Sequence, residues 1–204
     1  MRIGRIAGLR RRWRGLPAWR ALFGRRRVER PEAPAVPRYR VRTEPGGVVH
    51  FAARGDHPRI TQAFLDVVRS LSGRPGVVLV EYGERPTEWV AAEVSPAALL
   101  AAMVSVRDLL GRGALDVAVH SRNEGVEVFI DHLGELDVRS GSWNERRFRD
   151  VFSRLAFLAT EDPLPPSEAA GKALALDPDR QTRLTAAVET LGLAPVEERA
   201  ANGR

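Results

Sequence analysis

The sequence predicts an α+β domain in which helices pack on one antiparallel sheet of about six or seven strands. Apolar and polar residues alternate through three consecutive limbs of residues 115–139, as in strands with one buried face. Three other stretches carry apolar residues at helical spacing, each opened by residues typical of a helix start. The resulting order is strand-strand-helix twice, then three strands and a helix, followed by a helical C-terminal segment.

Length and charge divide the chain into three parts. Its 204 residues, 44% of them hydrophobic, suffice for one domain with appendages. We predict a basic arm and Pro-rich linker over residues 1–37, the α+β domain over 38–162, and a helical extension with a frayed end over 163–204. The chain has no cysteine, which excludes disulfides, thiolate metal sites and thiol catalysis.

The first thirty residues hold eleven arginines and one acid, a net charge of +10, so the rest of the chain carries −4 of the total +6. Apolar residues recur among the arginines at three- and four-residue spacing, which is typical of a basic amphipathic helix. Three interpretations stay open: a solvated tail, reversible attachment to anionic lipid, and contact with nucleic acid. The residues expected to touch a membrane or another polyanion are Arg10, Arg11, Arg12, Trp13, Arg14, Trp19, Arg25, Arg26 and Arg27.

The predicted domain begins with a hairpin over residues 39–53 and a helix opened by Asp56 or His57 and ended by Gly73. Residues 77–80 form a continuous apolar run, which indicates a strand buried on both faces. A strand over about 88–94 follows. Ser95 and Pro96 then open a second helix, which we expect to close at Gly111.

The register of the three central strands follows from their apolar positions. If all apolar side chains share one face, Val119 lies opposite Val128 and Val117 lies opposite Ile130. The polar face then carries three rows: His120, Glu127 and Arg139; Ala118, Phe129 and Asp137; and Asp116, Asp131 and Glu135.

Two further helical regions complete the prediction. Ser142 and Glu145 have the spacing of a capping box, so we expect a third helix from there to about Thr160. The C-terminal segment predicts a short helix over 167–176 and another from Asp177 to Gly192, docked on the domain or on a partner.

No spaced motif for nucleotide, metal or nucleophilic chemistry occurs in the chain, and we predict no cofactor. Asp116, Asp131 and Glu135 could hold Ca²⁺ or Mg²⁺, but we interpret them as a solvated rim at the strand ends. His120 beside Glu127 could act as a general base, with Asp131 and Asp116 completing a hydrolase site. The simpler interpretation is a cross-strand pair balanced by Arg139.

The aromatic side chain of Phe129 on a polar sheet face predicts either a covering element or a contact with a partner. Our leading hypothesis is a non-catalytic adaptor or protein-binding module, located in the cytoplasm and associated with an anionic surface through its arm. The alternatives are a hydrolase that uses the polar face around His120, and a nucleic-acid binder that acts through the arm.

Overall fold

The computed structural model describes residues 36–82, 87–91, 93–164 and 176–196. Its strands are β1 (Arg38–Glu44), β2 (Val48–Arg54), β3 (Gly76–Glu81), β4 (Thr87–Ala91), β5 (Leu115–Ser121), β6 (Val126–Ile130), β7 (Leu136–Gly141), β8 (Leu158–Ala159) and β9 (Ala194–Pro195). Its helices are α1 (His57–Ser70), α2 (Pro96–Ser105), α3 (Glu145–Arg154) and α4 (Pro178–Thr190), with one 3₁₀ turn at Ser142–Asn144 before α3.

The α+β class is confirmed, but the sheet differs from the predicted one. Over the described residues it has nine strands, in the order β8-β1-β2-β7-β6-β5-β3-β4-β9. The seven longer strands pair antiparallel, as expected, and β8 is parallel to β1, which makes the sheet mixed. The two added strands, β8 and β9, are two residues long, too short for an alternation pattern to reveal them.

The main core lies between one face of the sheet and the helices. Each of the four described helices contributes to it, for example through Phe64, Met103, Phe152 and Leu184, and all of these pack in one cluster with Val117 and its neighbours on that face. We call this the inner face. The opposite, outer face carries the three polar rows.

The C-terminal segment docks on the domain. The α4 residues Leu184, Ala187 and Val188 are buried in the main core, and β9 extends the sheet beside β4. Asp177 caps α4 as the sequence predicts, since its carboxylate accepts the backbone N–H of Arg180. The predicted helix over 167–176 lies almost entirely outside the described residues.

Two helices are shorter than predicted. α2 ends at Ser105, and residues 106–109 continue as turns that still bury Val106 and Leu109. α3 ends at Arg154, because Ala156 adopts a positive φ of 58° and the chain turns into β8. In both cases the apolar residues continue at helical spacing beyond the helix, because the chain stays buried after the helix has ended.

The predicted capping box also fails. Ser142 lies in the 3₁₀ turn, and Asn144, which makes no capping hydrogen bond through its side chain, precedes α3. Glu145 instead accepts a hydrogen bond from Arg149 one turn later, at 2.8 Å. Among the described residues, no helix is long and apolar enough to cross a bilayer.

Candidate functional site

The predicted register of β5, β6 and β7 is confirmed. Val117 pairs with Ile130 and Val119 with Val128 on the inner face. On the outer face His120 pairs with Glu127, which in turn pairs with Arg139. The structure therefore places these polar side chains in the rows that the alternation predicts.

The His120 row places Glu127 between His120 and the cationic Arg139. Burial raises the pKa of Glu127, and the nearby guanidinium of Arg139 opposes that rise. Arg139 also donates a 3.0 Å hydrogen bond to Glu44 on β1. Arg139 therefore forms its ion pair with Glu44, and it acts on Glu127 only through its charge. A catalytic role for His120 or Glu127 stays a prediction.

The row that contains Phe129 is more enclosed than a solvent-facing row. Phe129 is partly buried, and Asp137 opposite it is only 8% exposed. Asp137 lies 2.7 Å from the Nε2 atom of His50 on β2, so its carboxylate has a partner at the sheet surface. A contact between Phe129 and another protein stays a prediction.

The densest polar cluster forms around Asp116 at the end of the third row. The Asp116 side chain is 2% exposed and accepts a 2.7 Å hydrogen bond from the Tyr82 hydroxyl. Its other oxygen accepts the backbone N–H of His132 and lies 2.9 Å from the Nδ1 atom of the same histidine. We call Tyr82, Asp116, Asp131 and His132 the Asp116 cluster.

Asp131 holds the turn between β6 and β7. One of its carboxylate oxygens accepts the backbone N–H groups of Leu133 and Glu135, at 3.0 and 2.7 Å. Glu135 forms an ion pair with Arg54 on β2. The interpretation of Asp116, Asp131 and Glu135 as a solvated rim is therefore wrong, because these carboxylates are buried or partly buried and serve as acceptors inside the protein.

Burial and proximity shift the pKa values of the Asp116 cluster. Burial raises the pKa of Asp131 to about 7, and the neighbouring carboxylates add to the rise. The hydrogen bond to Asp116 raises the pKa of His132 above its ordinary value. Burial, followed by the charge of Asp116, raises the pKa of the Tyr82 hydroxyl.

Chemically, the cluster contains an imidazole oriented by a buried carboxylate. Asp116 engages Nδ1 of His132, which leaves Nε2 as the ring atom able to exchange a proton. The Tyr82 ring lies 4.5 Å from the His132 ring, which fixes its orientation further. Within the described ranges, no group of three or more histidine and acidic side chains has an arrangement that could hold a metal ion.

The sequence missed two members of this cluster. The predicted rows include neither Tyr82 nor His132. The detectable signal is that His132 directly follows Asp131, which lies across from Asp116 in the predicted register. The arm residues Arg10, Arg11, Arg12, Trp13, Arg14, Trp19, Arg25, Arg26 and Arg27 lie outside the described residues.

The fold and cluster define a single-sheet α+β protein with a partly buried Asp-His-Tyr network at one end of its central strands. Comparisons with protein-family models, with curated proteins and with solved structures found no match.

Proposed function

We propose that this protein is a non-catalytic binding module whose basic arm attaches it reversibly to an anionic surface, while the α+β domain contacts another protein. The observation that carries the proposal is the division of charge, +10 in residues 1–30 against −4 in the remainder. A strongly basic segment joined to a mildly acidic domain favours attachment through the segment.

The energetics support attachment that salt can reverse. Each arginine near an anionic lipid surface contributes about 1 kcal/mol, and the attraction falls off within a Debye length. Trp13 and Trp19 are residues that favour the headgroup region. The arm therefore has both of the components that peripheral attachment needs, cationic charge and amphipathic aromatic side chains.

The test uses the full chain and vesicles of phosphatidylcholine and phosphatidylserine at a ratio of about 7:3. The arm variant replaces Arg10, Arg11, Arg12 and Arg14 by Gln. Losing about 1 kcal/mol for each of the four arginines should lower vesicle partitioning by about 1,000-fold at low salt. High salt should release the unaltered protein in the same way.

A charge-matched control separates the arm from net charge. It replaces four exposed arginines of the domain, Arg74, Arg107, Arg122 and Arg154, by Gln. The control should keep nearly all of the binding. Equal partitioning of the arm variant and the unaltered protein would exclude the arm as the attachment segment.

The Asp116 cluster favours a second candidate, a hydrolase in which His132, and not His120, is the general base. The specific observation is the hydrogen bond that Nδ1 of His132 donates to the buried carboxylate of Asp116. Against it, no described hydroxyl lies within hydrogen-bonding distance of His132, so water would have to be the nucleophile.

A chromogenic ester such as p-nitrophenyl acetate distinguishes the two candidates. The hydrolase candidate requires hydrolysis by the unaltered protein that His132→Gln abolishes and His120→Gln preserves. The binding module predicts the same background rate for all three proteins.

A further inference from the structure

Three arginines form a row on the outer face of β1. Tyr39 and Val41 point from β1 into the main core, so Arg38, Arg40 and Arg42 between and beside them point to the outer face. Successive members of the row are two residues, about 6.6 Å, apart along the strand. Arg42 is exposed and the other two are partly exposed. We call these residues the β1 arginine row.

The described part of the domain offers the row no ionic partner. The other two arginines on the strands do have acidic partners, Arg54 with Glu135 and Arg139 with Glu44. Over the described ranges, no carboxylate lies within ion-pair distance of the three row arginines. Three adjacent cations without anions favour an anionic ligand from outside the domain.

The exposed indole of Trp143, which we call the tryptophan platform, lies on the same face. Trp143 is 76% exposed, the most exposed large hydrophobic side chain in the described part of the chain. Gly141 follows Asp137 and Arg139 on the outer face of β7, and a Cβ added there would overlap the Trp143 ring. The indole therefore lies over Gly141, where the absence of a side chain leaves room for it.

The sheet register places the platform beside the Arg42 end of the row. Gly141 pairs with Val48 on β2, and Val48 pairs with Glu44 at the end of β1. Two strand spacings, about 9–10 Å, thus separate the platform from Glu44, and Arg42 lies two residues further along β1. Arg139 is hydrogen-bonded to Glu44, so the acid between them is already balanced.

We propose that the β1 arginine row and Trp143 form the face that the domain turns toward an anionic lipid surface. This inference rests on the proposed function, to which it adds a second contact. Arginines bind lipid phosphates, and a tryptophan with an exposed indole is a residue of the membrane interface. The row also begins directly after the linker, since Arg38 follows Pro37 in the chain. Single-stranded nucleic acid is less favoured, because it needs several stacking platforms in succession, whereas this region offers one.

The first test measures partitioning of full-length variants into the same vesicles. Arg38→Gln, Arg40→Gln and Arg42→Gln together should weaken partitioning by about 10-fold or more. Arg74→Gln, Arg107→Gln and Arg122→Gln, which change exposed arginines elsewhere on the domain, should leave it nearly unchanged.

The second test locates Trp143 directly. The chain has four tryptophans, so replacing Trp13, Trp19 and Trp89 by Phe leaves Trp143 as the only indole. Its fluorescence should shift to the blue and be quenched by brominated lipid in anionic vesicles. If this triple variant does not melt like the unaltered protein, partitioning of Trp143→Ala against Trp143→Phe replaces the measurement, and the alanine variant should bind several-fold more weakly.

The outcomes separate this inference from the proposed function. If the arm variant loses binding while the β1 row variant keeps it and Trp143 is not quenched, the second contact is wrong and the arm proposal stands. If the unaltered protein does not bind anionic vesicles, both are wrong. Binding of the β1 row to single-stranded DNA but not to vesicles would also overturn the lipid assignment.

Discussion

Asp131 is the residue at which this domain should sense pH most strongly. Its folded-state pKa of about 7 is above its ordinary value of 3.8, so the folded protein holds this proton more tightly than the unfolded chain. The free energy of unfolding should therefore fall as the pH rises from about 4 to 7. The slope from one such proton is at most about 1.4 kcal/mol per pH unit.

The titration of His132 also lowers the free energy of unfolding as the pH rises, but over a higher pH range. Its folded-state pKa is raised above 6.5, so the stability it contributes is complete below 6.5 and is lost as the pH rises through the folded value. The two residues together predict a domain that becomes less stable from mildly acidic to alkaline pH.

We predict that Asp131→Asn flattens this profile between pH 4 and 7. Asparagine keeps an oxygen that can accept the backbone N–H groups of Leu133 and Glu135, but it carries no titrating charge. Urea unfolding at several pH values measures the effect, and the decline above pH 6.5 due to His132 should remain. A profile identical to that of the unaltered protein would show that Asp131 titrates normally in the folded state.

At the scale of elements, a contact between two glycines joins the loop after α2 to the turn between β6 and β7. Gly111 has a φ of +65°, and a Cβ added there would lie 2.8 Å from the Cα atom of Gly134. A side chain at position 111 is therefore excluded for two reasons: the left-handed backbone conformation of Gly111 and the nearby backbone of Gly134. This contact holds the loop beside the turn that carries His132.

We predict that Gly111→Ala destabilises the domain by about 2–5 kcal/mol, the sum of left-handed strain and steric overlap with backbone. Gly125→Ala is the matched control, because Gly125 also has a positive φ, +60°, but no atom within 4 Å of an added Cβ. The control should lower the free energy of unfolding by about 1–2 kcal/mol, because it introduces only the left-handed strain. Chemical denaturation measures both, and equal losses would show that the loop yields to the added methyl group.

The elements differ in how far sequence could predict them. In β5, β6 and β7 each strand alternates and its apolar residues must share one face, so one register satisfies all three. α3 was predicted too long because Leu155 and Leu158 continue its apolar spacing, although Ala156 turns the chain away. Apolar periodicity indicates which face of a segment is buried. It does not indicate at which residue the backbone leaves the helical conformation.

At the scale of the whole molecule, the C-terminal segment completes the domain. α4 and the connection that follows it add Leu184, Ala187, Val188, Leu191 and Leu193 to the main core, and β9 covers the edge of β4. Asp108 reinforces the docking by accepting hydrogen bonds from Arg183 at 2.7 and 3.0 Å, and these hydrogen bonds lower its pKa.

We predict that a chain ending at Asp162 loses cooperative thermal unfolding and aggregates. It would lack this part of the core, and the β4 edge would be open to another chain. A chain ending at Val196, the last described residue, should unfold like the full-length protein. Circular dichroism melting and gel filtration compare the two. A monomeric, cooperatively unfolding product of the shorter chain would show that residues 38–162 fold without α4 and β9.

The sequence by itself determined the α+β class, the seven longer strands, the register of β5–β7 and the separation of charge between the arm and the rest of the chain. These features depend on local periodicity and composition, which are present in the chain before it folds. Tertiary structure alone decided that Tyr82 and His132 meet at Asp116, that β8 and β9 complete the sheet, and that Trp143 lies over Gly141. The physical reason is that these contacts join residues on different strands and loops, whose approach depends on how the helices and turns pack and not on any pattern within one segment.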